Sequence, residues 1–74
     1  MKIKVKLFAT LREKREKEMD LEIHETTTPG DILDLLGIPQ SEVAIIMING
    51  RHSKLNASLT ENDTLAFFPA VGGG

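Results

Sequence analysis

The chain has 74 residues, enough for one small domain and too few for a second core. Nine lysines and arginines against eleven aspartates and glutamates give a formal net charge of −2, without the basic surplus that drives phosphate-backbone binding, so no nucleic-acid partner is expected. Cysteine is absent, which excludes a disulfide framework, a cysteine-held zinc or iron–sulfur site and a thiol nucleophile of the chain's own.

Lys2-Ile3-Lys4-Val5-Lys6-Leu7-Phe8 alternates, with Ile3, Val5 and Leu7 on one face and the lysines on the other, the period of a half-buried strand. Phe8 breaks the pattern by falling on the lysine face. Met1 opens directly into this charged segment rather than into a signal peptide, and no run approaches the roughly 18 apolar residues of a membrane span. A cytoplasmic protein without a membrane partner is therefore expected. A second alternation, Met19-Asp20-Leu21-Glu22-Ile23-His24, predicts an antiparallel neighbour for the first strand, with acids facing lysines on the solvent side. The run between them, Arg12-Glu13-Lys14-Arg15-Glu16-Lys17-Glu18, has no apolar stripe. It reads as a solvated connection with one helical turn. A docking role for Arg12 or Arg15 is the alternative.

Thr26-Thr27-Thr28-Pro29-Gly30-Asp31 predicts a helix start. Thr28 caps it, Pro29 takes the first helical position, and Asp31 stands where a capping box needs an acceptor. Ile32, Leu35 and Leu36 follow at helical spacing, and Gly37 with Pro39 ends a helix of about two turns. Val43 to Ile48 is apolar and rich in branched residues, which predicts a strand with limited solvent contact. Asn49-Gly50 then marks a tight hairpin turn. A short edge strand is expected from Arg51 to about Leu55, a turn at Glu61-Asn62-Asp63, and a last strand over Thr64-Leu65-Ala66-Phe67-Phe68 that Pro69 stops. Two hairpin-like units flanking one helix make an α+β fold, a mixed sheet of about five strands with the helix across one face. The expected core is Ile3, Val5, Leu7, Leu21, Ile23, Ile32, Leu35, Leu36, Ile46, Ile48, Leu65 and Phe67.

The body of the chain shows no catalytic constellation. Asp31 and Asp34 share a helix face opposite the core, where capping and solvation explain them. His24 lies among Glu22 and Glu25, and His52 follows the hairpin turn; the two are far apart and form no metal motif, so no metal site is expected. The end of the chain is different. Phe67-Phe68-Pro69-Ala70-Val71-Gly72-Gly73-Gly74 brings aromatics, a rigid proline and three glycines to the terminus. A frayed end is one reading. The other is that the terminal carboxylate of Gly74 is the functional group, threaded through a narrow channel to a nucleotide site in another protein. Residues without Cβ make the thinnest thread. Pro69 to Gly74 can reach at most about 20 Å. The expected division is a domain over 1–69 and a flexible tail over 70–74.

Asp63-Thr64-Leu65-Ala66-Phe67-Phe68-Pro69-Ala70-Val71-Gly72-Gly73-Gly74 resembles the C-terminus of the molybdopterin synthase small subunit family, ubiquitin-like β-grasp sulfur carriers whose usual ending is an acid, a short apolar strand and Phe-Phe-Pro-Pro-Val-x-Gly-Gly. Phe8-Ala9-Thr10-Leu11-Arg12-Glu13 is similar to that family's first strand and its exit, and Asn49-Gly50 lies at a compatible distance before the last strand. Ala70 stands where the family has its second proline, which is expected to loosen the root of the tail. The loop between the first two strands also differs in length and charge.

The resemblance implies a non-catalytic small subunit that acts as a tethered co-substrate. Gly74, presented with Gly73, would be adenylated by a ubiquitin-activating-like partner that uses ATP and then carry a thiocarboxylate; the chain itself binds no cofactor. The molybdopterin synthase large subunit would accept the sulfur for dithiolene formation on a pterin. Pro69, Val71 and Gly72 would enter the partner. Phe8 and Phe68 fall opposite their strands' core residues, and Met47 alternates toward the same outer face, so these three are expected to form a docking patch; packing of the two phenylalanines on each other or under a loop is the alternative. A thiamin-thiazole-type carrier and a ubiquitin-like modifier share the tail chemistry. A β-grasp interaction module with an idle terminus is the reading from another class.

Overall fold

In a computed structural model describing residues 1–13 and 15–70, the first alternation forms β1 (Lys2–Leu7), with Ile3, Val5 and Leu7 buried. β2 (Glu18–Glu22) pairs with it antiparallel, in the register Lys2 with Glu22, Lys4 with Asp20 and Lys6 with Glu18. Lysine does face acid, as the patterns require. The connection is not a bare solvated run, however. A 3-10 helix, Ala9–Arg12, follows β1 directly and buries Leu11, and the turn expected inside the charged run lies ahead of most of it. Leu11 comes four residues after Leu7 and continues the apolar series past the break at Phe8.

The helix α1 (Pro29–Leu36) has both ends as read from the sequence. Thr28 Oγ1 accepts from the Asp31 N–H at 3.2 Å, Asp31 Oδ2 accepts from the Thr28 N–H at 3.0 Å, and Gly37 closes the helix at φ 71°. Its buried face is corrected. Leu35 is 69% exposed, and Leu33 takes its place in the core beside Ile32. Pro29 and Gly30 are buried as well, and the Gly30 N–H donates to the Leu55 carbonyl at 2.9 Å. That contact turns the helix so that positions 29, 32, 33 and 36 face inward. Position 35 then lies about 110° from the centre of that stripe at 100° per residue.

After a 3-10 helix over Gln40–Glu42 come β3 (Val43–Ile48), β4 (Arg51–His52) and β5 (Thr64–Pro69). The Asn49-Gly50 turn has φ 52° and 81°, the positive values its residue types favour. β4 is shorter than expected and pairs only with Met47 and Ile48. The first half of β3 therefore has no strand on its far side, and Ala44 and Ile45 are exposed where limited solvent contact was expected. Pro69 does not stop β5 but forms its last residue, opposite Val43.

The sheet order is β2-β1-β5-β3-β4, with β1 and β5 parallel and the other pairs antiparallel. One cluster joins Ile32 and Leu33 of the helix to Ile3, Val5, Leu7, Ile46, Leu65 and Phe67 of the sheet. Leu21, Leu36 and Ile48 pack against it partly buried, while Leu11, Ile38 and Leu59, which the periodicity did not reveal, lie within it. This is the expected α+β class and the β-grasp arrangement of ubiquitin-like proteins.

Candidate functional site

Because β1 and β5 run parallel, with Leu7 opposite Phe67, the next residues of both strands stand side by side. Phe8 and Phe68 stack with ring centroids 4.4 Å apart and planes at 11°. They pack on one another and still remain half-exposed on the face opposite the helix. Ile45 lies across from Phe68 and Met47 across from Ala66, so both extend this apolar strip over β3. Met47 is half-buried and Ile45 is 39% exposed. Sequence reasoning placed Met47 here but missed Ile45, although the two share the parity of an outer face.

Arg12 ends the 3-10 helix beside this stack. Its Nε–H donates to the Leu7 carbonyl at 2.8 Å, and its Cζ lies 5.2 Å from the centre of the Phe8 ring. Toward β2 the face becomes charged. Lys4 Nζ lies 3.1 Å from Glu18 Oε1, a diagonal partner rather than Asp20 directly opposite. The hydrogen bond and charge of Glu18 raise the Lys4 pKa, and the same contact lowers that of Glu18. Both side chains are well solvated, so the pair orders the surface more than it stabilises the fold.

The root of the tail is tied down. The Ala70 N–H donates to the Glu42 carbonyl at 3.2 Å, carrying the β3–β5 contact one residue beyond Pro69. A proline at this position has no N–H to give, so alanine here supplies an anchor where loosening was expected. Val71, Gly72, Gly73 and Gly74 lie outside the described residues. From Ala70 the remaining residues can span at most about 14 Å.

A polar pin holds the other end of β5. Asp63 is 7% exposed, and its carboxylate accepts from the Thr60 N–H at 2.8 Å, the Thr60 hydroxyl at 2.9 Å and Asn49 Nδ2 at 2.8 Å. Asn49 Oδ1 in turn accepts from the Thr64 N–H at 2.9 Å. Burial pushes the Asp63 carboxyl up, but these bonds outweigh it and hold its pKa below the ordinary value. The acid that opens the tail motif is thus a structural fastener, in register with the Asn49-Gly50 turn. Asp31 and Asp34 are exposed on α1 as expected, and His24 and His52 are exposed on separate elements. Among the described residues no three acids or histidines converge to hold a metal, and no helix is long and apolar enough to cross a membrane.

The model of the ThiS family matches residues 5–74. No curated protein matches the chain. Among solved structures, SAMP1 from Haloferax volcanii is 27% identical, with a TM-score of 0.77 and complete coverage of both chains. A putative molybdopterin converting factor subunit 1 from Pyrococcus furiosus is 24% identical, with a TM-score of 0.74 over 96% of this chain and 99% of that one. In a complex of subunits 1 and 2 of the molybdopterin-converting factor from Helicobacter pylori, the matching chain is 20% identical, with a TM-score of 0.67 and full coverage of both. At that identity the last two share the fold.

Proposed function

Because this chain belongs to the ThiS family, whose match runs through its last glycine, we propose that it is a sulfur carrier whose reactive group is the Gly74 carboxylate. A carboxylate is a poor electrophile at neutral pH. Its oxygen must first attack the α-phosphorus of ATP in an adenylating, ubiquitin-activating-like partner, releasing pyrophosphate. A persulfide sulfur then attacks the acyl-adenylate carbonyl and AMP leaves. Cleavage of the resulting S–S bond by a thiol leaves the thiocarboxylate on Gly74. The partners do this chemistry, and the chain is their co-substrate. No cysteine is needed, since the carried sulfur sits on the terminus.

The acceptor we propose is the large subunit of a molybdopterin synthase, which would use the sulfur to build a pterin dithiolene. Two features support this choice: the Phe67-Phe68-Pro69 ending and the fold shared with subunit 1 of the molybdopterin-converting factor, which in Helicobacter pylori forms a complex with subunit 2. The Phe8–Phe68 stack with Ile45 and Met47 is the docking face, used by the adenylating partner and the acceptor in turn, and Pro69 and Ala70 lead from its edge into the tail. The observation that carries this arrangement is the placement of a half-exposed aromatic stack on the strand that becomes the tail.

A second reading is favoured by the 27% identity to Haloferax volcanii SAMP1 and the 25% identity to H. volcanii small archaeal modifier protein 1: the same activated carboxylate would be passed to a lysine. Mass spectrometry of the chain incubated with its adenylating partner, ATP and a persulfide donor tests the carrier step. The oxygen-to-sulfur mass increase at Gly74 is expected, and one residue added after Gly74 should abolish it. An unchanged terminus with active partner present would overturn the carrier reading; a lysine conjugate without thiocarboxylate would establish the second.

A further inference from the structure

Three interactions converge on the Arg12 side chain. Its Nε–H is committed to the Leu7 carbonyl at 2.8 Å, its guanidinium carbon lies 5.2 Å over the Phe8 ring, and that ring is held by the Phe68 stack at 4.4 Å. Among the described residues its only hydrogen bond is the one to Leu7, and neither terminal nitrogen donates to any of them. An arginine on a surface is normally a mobile chain whose rotamers must be frozen before it can recognise anything. Here the freezing has been done within the free protein.

The position of the group restricts what can cover it. Arg12 sits over Phe8, so a protein that buries the Phe8–Phe68 stack also buries the guanidinium. Taking that charge out of water without a countercharge is strongly unfavourable. Among the described residues no carboxylate forms a salt bridge with it: Glu16 lines the same depression with Arg15 and Lys17 without pairing to Arg12, and Glu18, near Lys6 and Lys17, is engaged by Lys4. A carboxylate on the covering protein would supply the missing countercharge.

We propose that Arg12 is the charged anchor of the docking face, and that the adenylating partner places an Asp or Glu carboxylate against its two terminal nitrogens when it covers the aromatic stack. The proposal rests on the carrier reading, which supplies that partner. A planar fork fixed at Nε matches a carboxylate with two parallel N–H donors, which a lysine ammonium cannot reproduce. Arg15 is not equivalent. Its guanidinium makes only long contacts, 3.5 Å to the Glu13 carbonyl and 3.4 Å to the Gly37 carbonyl, and stacks on no ring among the described residues.

Calorimetric titration of the full chain into the purified adenylating enzyme with ATP distinguishes these roles. Arg12→Ala is expected to weaken binding at least tenfold and to flatten its dependence on salt, with Arg12→Lys recovering only part of the loss and Arg15→Ala behaving as wild type. Thermal unfolding of each variant identifies any loss that reflects a disturbed 3-10 helix; Arg12→Lys, which keeps charge and stem, then carries the test. If Phe68→Ala weakens binding while Arg12→Ala and Arg12→Lys bind like wild type with an unchanged salt slope, the anchor is overturned and the docking face stands. If Phe68→Ala also leaves the affinity unchanged, the adenylating partner does not use this face and the anchor is overturned with it. An Asp or Glu of the partner whose replacement removes the effect of Arg12→Ala in a double-mutant cycle would establish the pair.

Discussion

Asn49 and Asp63 hold each other across 14 residues of chain, Asn49 Nδ2 donating to Asp63 Oδ1 at 2.8 Å. Asn49 Oδ1 also takes the N–H of Thr64, next to its partner, and Asp63 takes the Thr60 N–H three residues before itself. The β3–β4 turn and the start of β5 are thereby fastened as one unit, at the opposite end of β5 from the tail. Removing the carboxylate strands three donors at once. Asp63→Ala should therefore cost about 2 kcal/mol, with Asp63→Asn losing less because one acceptor survives. The midpoint of urea unfolding measures both, and a shift within error for Asp63→Ala would show that water replaces the network freely.

The same carboxylate gives stability a dependence on acid. Its folded pKa is depressed because its three hydrogen bonds outweigh its burial, whereas in the unfolded chain it returns to about 3.9. Above that value both states are ionised and the full contribution is present. As pH falls through it, the unfolded chain takes up the proton first, and the contribution drains until the folded pKa is passed. Glu18, lowered by Lys4, acts in the same direction on the exposed surface. Unfolding midpoints at neutral pH and near pH 3 should thus converge between wild type and Asp63→Asn; a constant gap would mean that Asp63 titrates alike in both states.

Leu33 and Leu35 test the orientation of the helix. Leu33 is fully buried, so Leu33→Ala should destabilise by about 2–5 kcal/mol. Leu35→Gln, on the solvated face, should stay within about 0.5 kcal/mol of wild type. Equal losses from the two substitutions would mean that the helix is rotated from its observed position.

That pair also shows where sequence ceased to be informative. Strand periods, the Thr28–Asp31 box, Gly37 and the Asn49-Gly50 turn are local signals, each satisfied within a few residues, and each specified its element. The facing of α1 is not local. Ile32, Leu33, Leu35 and Leu36 offer two overlapping apolar stripes, and the choice is made by Leu55, 25 positions beyond Gly30, whose carbonyl takes the Gly30 N–H. Leu11 and Leu59 were hidden for the same reason: an isolated leucine in a polar loop has no period to declare it. At the site, Phe8, Phe68 and Met47 were legible from parity alone. Ile45 was not, because its exposure depends on how short β4 turns out to be, and neither was the fixing of Arg12, which needs the parallel pairing of β1 and β5 to build the stack beneath it.

Ala70 is the last described backbone group and is anchored, and hydrogen exchange reads that anchor directly. Its N–H bonds the Glu42 carbonyl, so its amide should exchange more slowly than the same residue in an unstructured peptide. The bond is solvent-exposed at 3.2 Å and worth about 0.5–1.5 kcal/mol at most. Ala70→Pro removes it but also restricts the unfolded chain, which contributes about 0.4–1 kcal/mol in the other direction. The two effects nearly cancel, so the unfolding midpoint should scarcely move even though the anchor is gone. Under the proposed carrier function, sulfur transfer should change more than stability does, because Ala70 then loses the hydrogen bond that holds it to Glu42. An Ala70 amide exchanging at the unstructured rate in the wild-type chain would show that Ala70 is not anchored to Glu42.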